Sequence, residues 1–232
     1  MRRLSILALT IILGLSGTSW ATSARTLKAE VESTTLKSVD LEAGVGDITV
    51  TVGDASVIVA SVDLKPRRGG FFSSLKKAEQ QVQDAIFQPK ISGDTLILKI
   101  NNVDGDRRFE EEWTLTIPAD LALGIELGVG DLQISGTQGD LELELGVGDT
   151  TIQVNGGSLD IEVGVGDITL RGPSGAYRSV ETASGVGDVR IVADGQKITG
   201  EGFIAHSAEW HGDGDSTIEA ESGVGDIKII LD

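Results

Sequence analysis

Apolar and polar residues alternate in short runs through most of the chain, and glycine-rich turns separate the runs. Residues 141–145 read Leu-Glu-Leu-Glu-Leu, residues 159–163 read Leu-Asp-Ile-Glu-Val, and residues 48–52 read Ile-Thr-Val-Thr-Val. A period of two with one apolar side is typical of a β-strand that is buried on one face. The pattern therefore predicts an all-β protein built from many short strands.

One four-residue motif, Gly-Val-Gly-Asp, occurs six times between these runs, and its middle copies are 18 residues apart. Residues 212–215, Gly-Asp-Gly-Asp, read as a degenerate further copy. Glycine supplies backbone conformations that other residues resist, and aspartate accepts hydrogen bonds from turn amides. The motif therefore predicts a tight corner with a strand on either side. The predicted structural turn residues are Gly44, Gly46, Asp47, Gly128, Gly130, Asp131, Gly146, Gly148, Asp149, Gly164, Gly166, Asp167, Gly185, Gly187, Asp188, Gly223, Gly225 and Asp226.

Each 18-residue unit also contains a second turn, at 136–140 in one unit and at 155–158 in the next. A unit of strand, turn, strand and turn forms one coil of a flattened solenoid, in which stacked coils bury one continuous core. The fold class is therefore predicted to be a repetitive β-solenoid, similar to a β-helix or β-roll. A meander or sandwich of hairpins could use the same strands and remains the alternative.

The N-terminal half has the same strand chemistry without the strict period. Strands are predicted at 36–43, 48–52, 57–62, 95–101 and 113–117, and Pro118 ends the last of them. They are expected to form the first coils of the same solenoid. One insertion, at 63–93, interrupts them and includes a helical part within 64–89. Residues 74–87 are predicted to be helical because Leu75, Ala78, Val82 and Ile86 share one stripe.

The insertion is basic in a strongly acidic chain. It allows two interpretations: a helix that covers an end or edge of the solenoid, and a contact site for an anionic partner with an apolar tip. The candidate partner contacts are Lys65, Arg67, Arg68, Phe71, Phe72, Lys76 and Lys77.

The first 21 residues resemble a secretory signal, with Arg2 and Arg3 before an apolar run and Ser19-Trp20-Ala21 as a cleavage site. An uncleaved N-terminal anchor is the alternative. We expect one domain at 22–232, periplasmic or secreted, without a transmembrane segment after cleavage. The net charge of −17 argues against nucleic acid and anionic membranes as partners. The chain contains no cysteine, which excludes disulfides and thiolate metal sites.

The strand-Gly-x-Gly-Asp-strand repeat, the lead-in Trp-Thr-Leu-Thr-Ile-Pro at 113–118 and the closing Gly-Val-Gly-Asp-Ile-Lys-Ile at 223–229 resemble the DUF4097 family of adhesin-like, or toastrack, domains. The resemblance covers roughly residues 27 to 232. It implies a repetitive all-β domain outside the cytoplasm, in some relatives linked to envelope stress, and it carries no catalytic residues over to this chain. A membrane helix found in many relatives has no counterpart after the signal segment.

Few residues in the chain suggest catalysis. His206 and His211 lie near Trp210, but Ser207 should point away from His206, since neighbours on a strand face opposite sides. Calcium is the stronger chemical alternative, because stacked coils would align Asp131, Asp149, Asp167 and Asp188 in one column. The spacing inside the motif differs from calcium-binding nonapeptide repeats, so these aspartates are predicted to cap turns without a metal.

The function predicted from the sequence is that of an exported, non-enzymatic scaffold or adhesion module without a cofactor. Its expected partner is an envelope protein or glycan bound along a solenoid face. The alternatives are a calcium-stabilised exported β-roll protein and an enzyme that acts on polysaccharides with paired carboxylates.

Overall fold

The structure, a computed structural model, describes residues 24–67, 75–101, 107–200 and 206–232. These residues form two ten-stranded sheets and one α-helix, whose bounds follow in chain order. The elements of the first half are β1 (Arg25–Glu32), β2 (Ser38–Val45), β3 (Ile48–Val52), β4 (Val57–Pro66), α1 (Leu75–Asp84), β5 (Ile86–Phe87), β6 (Lys90–Ser92), β7 (Thr95–Asn101), β8 (Phe109–Ile117) and β9 (Ala122–Val129). Those of the second half are β10 (Leu132–Thr137), β11 (Leu141–Val147), β12 (Thr150–Val154), β13 (Leu159–Val165), β14 (Ile168–Gly172), β15 (Tyr177–Val186), β16 (Val189–Ala193), β17 (Gln196–Thr199), β18 (His206–His211), β19 (Ser216–Val224) and β20 (Ile227–Leu231).

The first sheet has the order β1-β4-β8-β3-β10-β12-β14-β20-β16-β17, and the second has β18-β15-β19-β13-β11-β9-β2-β7-β5, with β6 also paired to β7. Each Gly-Val-Gly-Asp copy connects a strand of the second sheet to the next strand of the first, so each copy defines one coil. The strands of stacked coils pair in parallel, as β9, β11 and β13 do. Parallel stacking confirms the β-solenoid and rules out the alternative built from hairpins.

The coils are not stacked in chain order at either end. The coil of β19 and β20, last in the chain, lies between the coil of β13 and β14 and the coil of β15 and β16. At the other end, the coil of β2 and β3 lies between two other coils, one formed by β7 and β8 and the other formed by β9 and β10. Asp167 and Asp188 are therefore not adjacent in the stack, because the C-terminal coil and Asp226 lie between them.

The core is a single apolar cluster formed by the inward side chains of both sheets. In β11, for example, Leu141, Leu143 and Leu145 are buried while Glu142 and Glu144 are exposed. The period-two pattern therefore sends one side of every coil inward. Burial of this continuous apolar area, at about 25 cal/mol per Å², is the main stabilising contribution.

The N-terminal end closes differently from the repeat. Antiparallel strands β4 and β1 extend the first sheet beyond β8. Val82 of α1 and Ala85, which follows the helix, pack into the same core as the inward side chains of these strands. The Arg25 guanidinium donates to the carbonyls of Val82, Gln83 and Ala85 at 2.7 to 3.2 Å, which satisfies carbonyls at the end of α1. The helix therefore covers an end of the solenoid.

Several predicted bounds in this region were wrong. The helix ends at Asp84 rather than residue 87, because Ile86 and Phe87 pair with β7 as β5. Ile86 is exposed and not part of the buried stripe. Strand β4 continues to Pro66 and β8 begins at Phe109, because residues 59–66 pair with residues 109–116; the insertion therefore begins after Pro66 and not at residue 63. Strand β1 was not predicted.

Among the described residues, no helix has the length and hydropathy that a membrane span requires. The predicted signal segment at 1–21 lies outside the described residues.

Candidate functional site

The six motif aspartates form one column along an edge of the solenoid, in the order Asp47, Asp131, Asp149, Asp167, Asp226 and Asp188. Within this column the backbone N–H of each aspartate donates to Oδ1 of the previous one, at 2.7 to 3.0 Å. Backbone hydrogen bonds also join adjacent corners; for example, the N–H of Leu132 donates to the carbonyl of Asp149. The carboxylates of the first five aspartates thus each bind the corner of the adjacent coil, and Asp188 ends the column. Residues 212–215 lie outside this column, because their amides donate to the carbonyls of Ala176, Tyr177 and Arg178.

The motif glycines are required where neighbouring corners approach each other. A Cβ on Gly128 would lie 2.5 Å from the carbonyl oxygen of Gly44, and one on Gly148 would overlap the carbonyl oxygen of Gly130. Gly148 also has a φ of +146°, which L side chains rarely adopt. The first glycine is needed for close approach, and the second for both approach and conformation.

Exposed carboxylates occupy two in-register rows on the outer side of the second sheet, which we call the acidic face. The row nearer the motifs, the groove row, is Glu42, Glu126, Glu144, Glu162 and Glu221. The row one pleat away, the distal row, is Asp40, Glu142, Asp160, Glu219, Glu181 and Glu209, with Gly124 between Asp40 and Glu142. Paired strands are about 4.8 Å apart, so both rows repeat at that spacing.

The outer side of the first sheet is different in charge. Strands β3, β10, β12, β14, β20 and β16 contain no acidic residue, and their outward positions are largely threonine, glutamine, lysine and arginine. This segregation was not predicted, although the sequence contains its signal: acidic residues occur in the strands before each motif and not in the strands after it. Charges kept only for solubility would not need to be confined to one face.

A groove of about 830 Å³ runs along the acidic face over several coils. The groove is lined by the groove row and by the first motif glycines, including Gly128, Gly146 and Gly164, which carry no side chains; the motif valines are not among its lining residues. The motif valines follow these glycines by one residue and stack in register as a valine row. Its exposed members are Val129, Val147, Val165, Val224 and Val186, which are 45 to 58% exposed.

The first corner carries a buried charge. Glu111 is fully buried beside Gly44 and Gly46, and its carboxylate accepts from Nε1 of Trp113 and from Arg107, both at 3.0 Å. Burial raises the pKa of Glu111, while Trp113 and Arg107 act in the opposite direction. The coil of β7 and β8 has no Gly-Val-Gly-Asp copy. In this coil the ion pair of Arg107 and Glu111 lies beside the motif corner of the next coil, at Gly44 and Gly46.

The basic residues of the insertion are dispersed in the structure. Lys65, in β4, forms an ion pair with Glu112, while Lys76 and Lys77 are exposed on α1. Arg67 is exposed just after β4. The other three candidate contacts, Arg68, Phe71 and Phe72, lie outside the described residues. The contact with an anionic partner therefore stays a prediction.

The residues considered for chemistry do not form a catalytic group in the described structure. On β18, Ser207 is exposed and Ala208 is buried, so Ser207 and His206 lie on opposite sides as expected. His211 pairs with Ser179 on β15. Within the described ranges, no three carboxylate or imidazole side chains are placed to hold one metal ion.

The fold and the corner column define a toast-rack-type β-solenoid with one acidic face. The chain belongs to the family of the N-terminal domain of toast_rack, DUF2154, whose model matches residues 21–171. This match confirms the resemblance to toastrack domains. No curated protein matches the chain significantly.

Several solved structures match this one, among them two bacterial proteins named for adhesion. The first, a "putative cell adhesion protein" from Clostridium sporogenes, has 19% identity and a TM-score of 0.58, covering 90% of this chain and 100% of its own. The second, a "putative adhesin" from Bacteroides fragilis, has 16% identity and a TM-score of 0.32, covering 88% and 97%. The first likeness supports the fold.

Proposed function

We propose that the protein is an exported, adhesin-like scaffold, periplasmic or secreted, that binds a protein or glycan of the bacterial cell envelope and catalyses no reaction. The observation that carries the proposal is the segregation of charge between the two sheets. Acidic residues stand in register on one outer side and are absent from six strands of the other. Parallel stacking holds them on a regular face, and solenoids use such faces for binding.

The electrostatics of the face support recognition rather than solvation alone. Carboxylates that repeat at about 4.8 Å repel each other. Among the described residues, the ion pairs on this face lie at its N-terminal end, where Lys99 and Arg107 contact Glu42. Folding tolerates this repulsion, and a cationic partner would relieve it. The same field steers a partner of opposite charge towards the face.

Relatives and the leader support the rest of the proposal. The Clostridium sporogenes protein that shares the fold is named for cell adhesion. Residues 1–21 resemble a secretory signal and point to export. Export can be tested by fractionating expressing cells and measuring the mass of the protein by mass spectrometry. We expect the chain outside the cytoplasm to begin after Ala21, and an intact chain in the cytoplasm would contradict export.

Binding is tested by retention of beads coated with the mature protein on isolated envelopes. Replacing Glu142, Glu144, Asp160 and Glu162 by their amides should abolish most of the retention, because these residues form the centre of the acidic face. A matched control replaces Glu30, Glu32, Asp120 and Asp213 by their amides and should retain binding. Equal retention of both variants would contradict the proposal, and protease-treated envelopes would separate a protein partner from a glycan.

A further inference from the structure

The basic residues of the second half of the chain are concentrated on one outer surface. Five lysine or arginine residues follow residue 108, and four of these five lie on the outer side of the first sheet, at its β17 end. These four residues, all exposed, are called the basic patch: Arg171 of β14, Lys228 of β20, Arg190 of β16 and Lys197 of β17. The patch is a cationic surface on a chain whose net charge is −17.

The register of the sheet brings the four side chains of the basic patch together. Lys228 pairs directly with Arg190 on the neighbouring strand. One pleat away, Arg171 and Lys197 stand at the two ends of a row that contains two half-buried apolar side chains between them. With strands about 4.8 Å apart, the patch is about 14 Å long over its four strands.

The basic patch has no counter-charge within the described part of its own molecule. None of its four side chains forms an ion pair or a hydrogen bond with another described residue, whereas basic residues elsewhere, such as Lys65 and Lys99, contact carboxylates. Like charges on neighbouring strands repel each other, and an anionic surface over the patch would relieve this repulsion. The charge of the patch therefore identifies its partner as anionic.

The acidic face is an anionic surface of matching geometry. We propose that the basic patch of one copy of the protein docks on the acidic face of a second copy, an inference that goes beyond the proposed function and does not require it. The two surfaces lie on the outer sides of different sheets, so a second copy placed alongside in the same orientation brings patch and face together. Two sheets that pack face to face lie about 10 Å apart with their strands within about 30° of each other.

Alignment of the two copies at the same height places carboxylates opposite the cations. Strands β14, β20 and β16 belong to the same coils as β13, β19 and β15, and β17 and β18 follow the last of these coils on the two sheets. Both sheets repeat at about 4.8 Å because the same coils build them, so no mismatch accumulates along the contact. The exposed carboxylates that would face the patch are Asp160, Glu162, Glu181, Glu209, Glu219 and Glu221.

The contact is expected to be weak. Four strands of about five residues give roughly 300 Å² per copy, against about 800 Å² for a stable interface. The net charge of −17 opposes association at long range. Near 0.15 M salt, where the Debye length is about 8 Å, this long-range repulsion is screened more than the close charge pairs, whereas about 1 M salt weakens the pairs as well.

The contact is also open-ended. The patch and the face are different surfaces, so each added copy leaves one patch and one face free. Copies therefore join head to tail, as in other interfaces between two different surfaces of one subunit.

Self-association is measured by sedimentation velocity of the mature protein from about 10 μM to about 1 mM, the range in which a weak contact forms. In about 0.15 M salt, the weight-average sedimentation coefficient should rise with concentration, and in about 1 M salt this rise should be lost. A monomer at every concentration in the lower salt would overturn the proposal.

Protein variants locate one side of the contact on the basic patch. Replacing its four residues by glutamine, R171Q/R190Q/K197Q/K228Q, should abolish the rise, because the charge pairs with the acidic face are lost together. The matched control, K28Q/K37Q/K90Q/R178Q, removes the same charge from exposed positions outside the patch and should associate like the unmodified protein. Thermal melting checks that both variants are folded. Equal loss in both variants would overturn the proposal, because net charge alone would then account for the effect.

A mixture of two variants tests the head-to-tail geometry. The patch variant keeps its acidic face, and a second variant, E162Q/E181Q/E209Q/E221Q, keeps its patch. Neither should associate alone, whereas an equimolar mixture should form heterodimers and no longer species, because each variant has one intact surface. Absence of heterodimers, detected with a fluorescent label on one variant, would overturn the proposal. If the unmodified protein stays monomeric while beads coated with it are still retained on envelopes, this inference is wrong and the proposed function stands.

Discussion

The backbone amide of Asp149 donates a hydrogen bond to Oδ1 of Asp131, 18 residues earlier and one coil away, at 3.0 Å. The carboxylate of Asp149 in turn accepts from Asp167 at 2.9 Å. The motif aspartate thus links neighbouring coils, whereas the sequence predicted only that it caps a turn. Its amide and its carboxylate bind opposite neighbours, which explains why a column of like charges persists.

Replacing Asp149 by alanine should destabilise the protein, because the amide of Asp167 would lose its acceptor. We expect a loss of about 1 kcal/mol in the free energy of unfolding, measured with urea. Asp149→Asn keeps an oxygen at the acceptor position and removes the charge, so its loss should be clearly smaller. Equal losses for the two variants would show that the charge, and not the hydrogen bond, is what matters.

Calcium provides the complementary test of the same column. Since five of the six carboxylates in the column accept a hydrogen bond from an amide of the adjacent coil, we propose that the corners are stable without a metal. The thermal midpoint in excess chelator should therefore equal that in millimolar calcium. A calcium-dependent rise, of the kind that mass action gives a ligand bound only to the folded state, would favour the alternative of a calcium-stabilised β-roll.

The motif glycine Gly148 should tolerate no side chain. Gly148→Ala would place a Cβ against the carbonyl oxygen of Gly130 at a positive φ, and we expect a loss of about 3 kcal/mol or more. Two controls separate the causes. Gly93 has a φ of +67° but an open surrounding, so Gly93→Ala should cost about 1 kcal/mol, and Gly175→Ala, with neither constraint, should cost less than about 0.5 kcal/mol. Urea unfolding of the three variants measures the ranking.

Much of the repeat could be predicted from the sequence because it is local. Alternation fixes which side of β11 or β13 is buried, and the motif fixes where each strand ends. The order of the coils could not be predicted, because the apolar-polar pattern of β20 is compatible with pairing to any strand that follows a motif, such as β14 or β16. Only the tertiary structure shows that the last coil lies between them.

The ends and the candidate site were harder to predict for different reasons. Strand β1 pairs with β4, from which β2 and β3 separate it in the chain, and this long-range contact is not revealed by local alternation. The acidic face could have been found, because its signal is the position of the acids before each motif. The groove depends on stacking, which aligns glycines such as Gly128 and Gly146 in space.

The buried carboxylate of Glu111 should make stability depend on pH in a specific direction. Burial raises its pKa in the folded state, so the folded protein binds the proton more tightly than the unfolded chain does. The ionised form therefore costs stability above the folded pKa, and this cost disappears as the pH falls through that value towards the ordinary value near 4.5. Glu111→Gln stays neutral and retains an acceptor for Trp113. Urea unfolding between pH 4.5 and pH 7 should show the unmodified protein gaining stability relative to Glu111→Gln as the pH falls. A constant difference across this range would mean that Arg107, rather than burial, controls the protonation of Glu111.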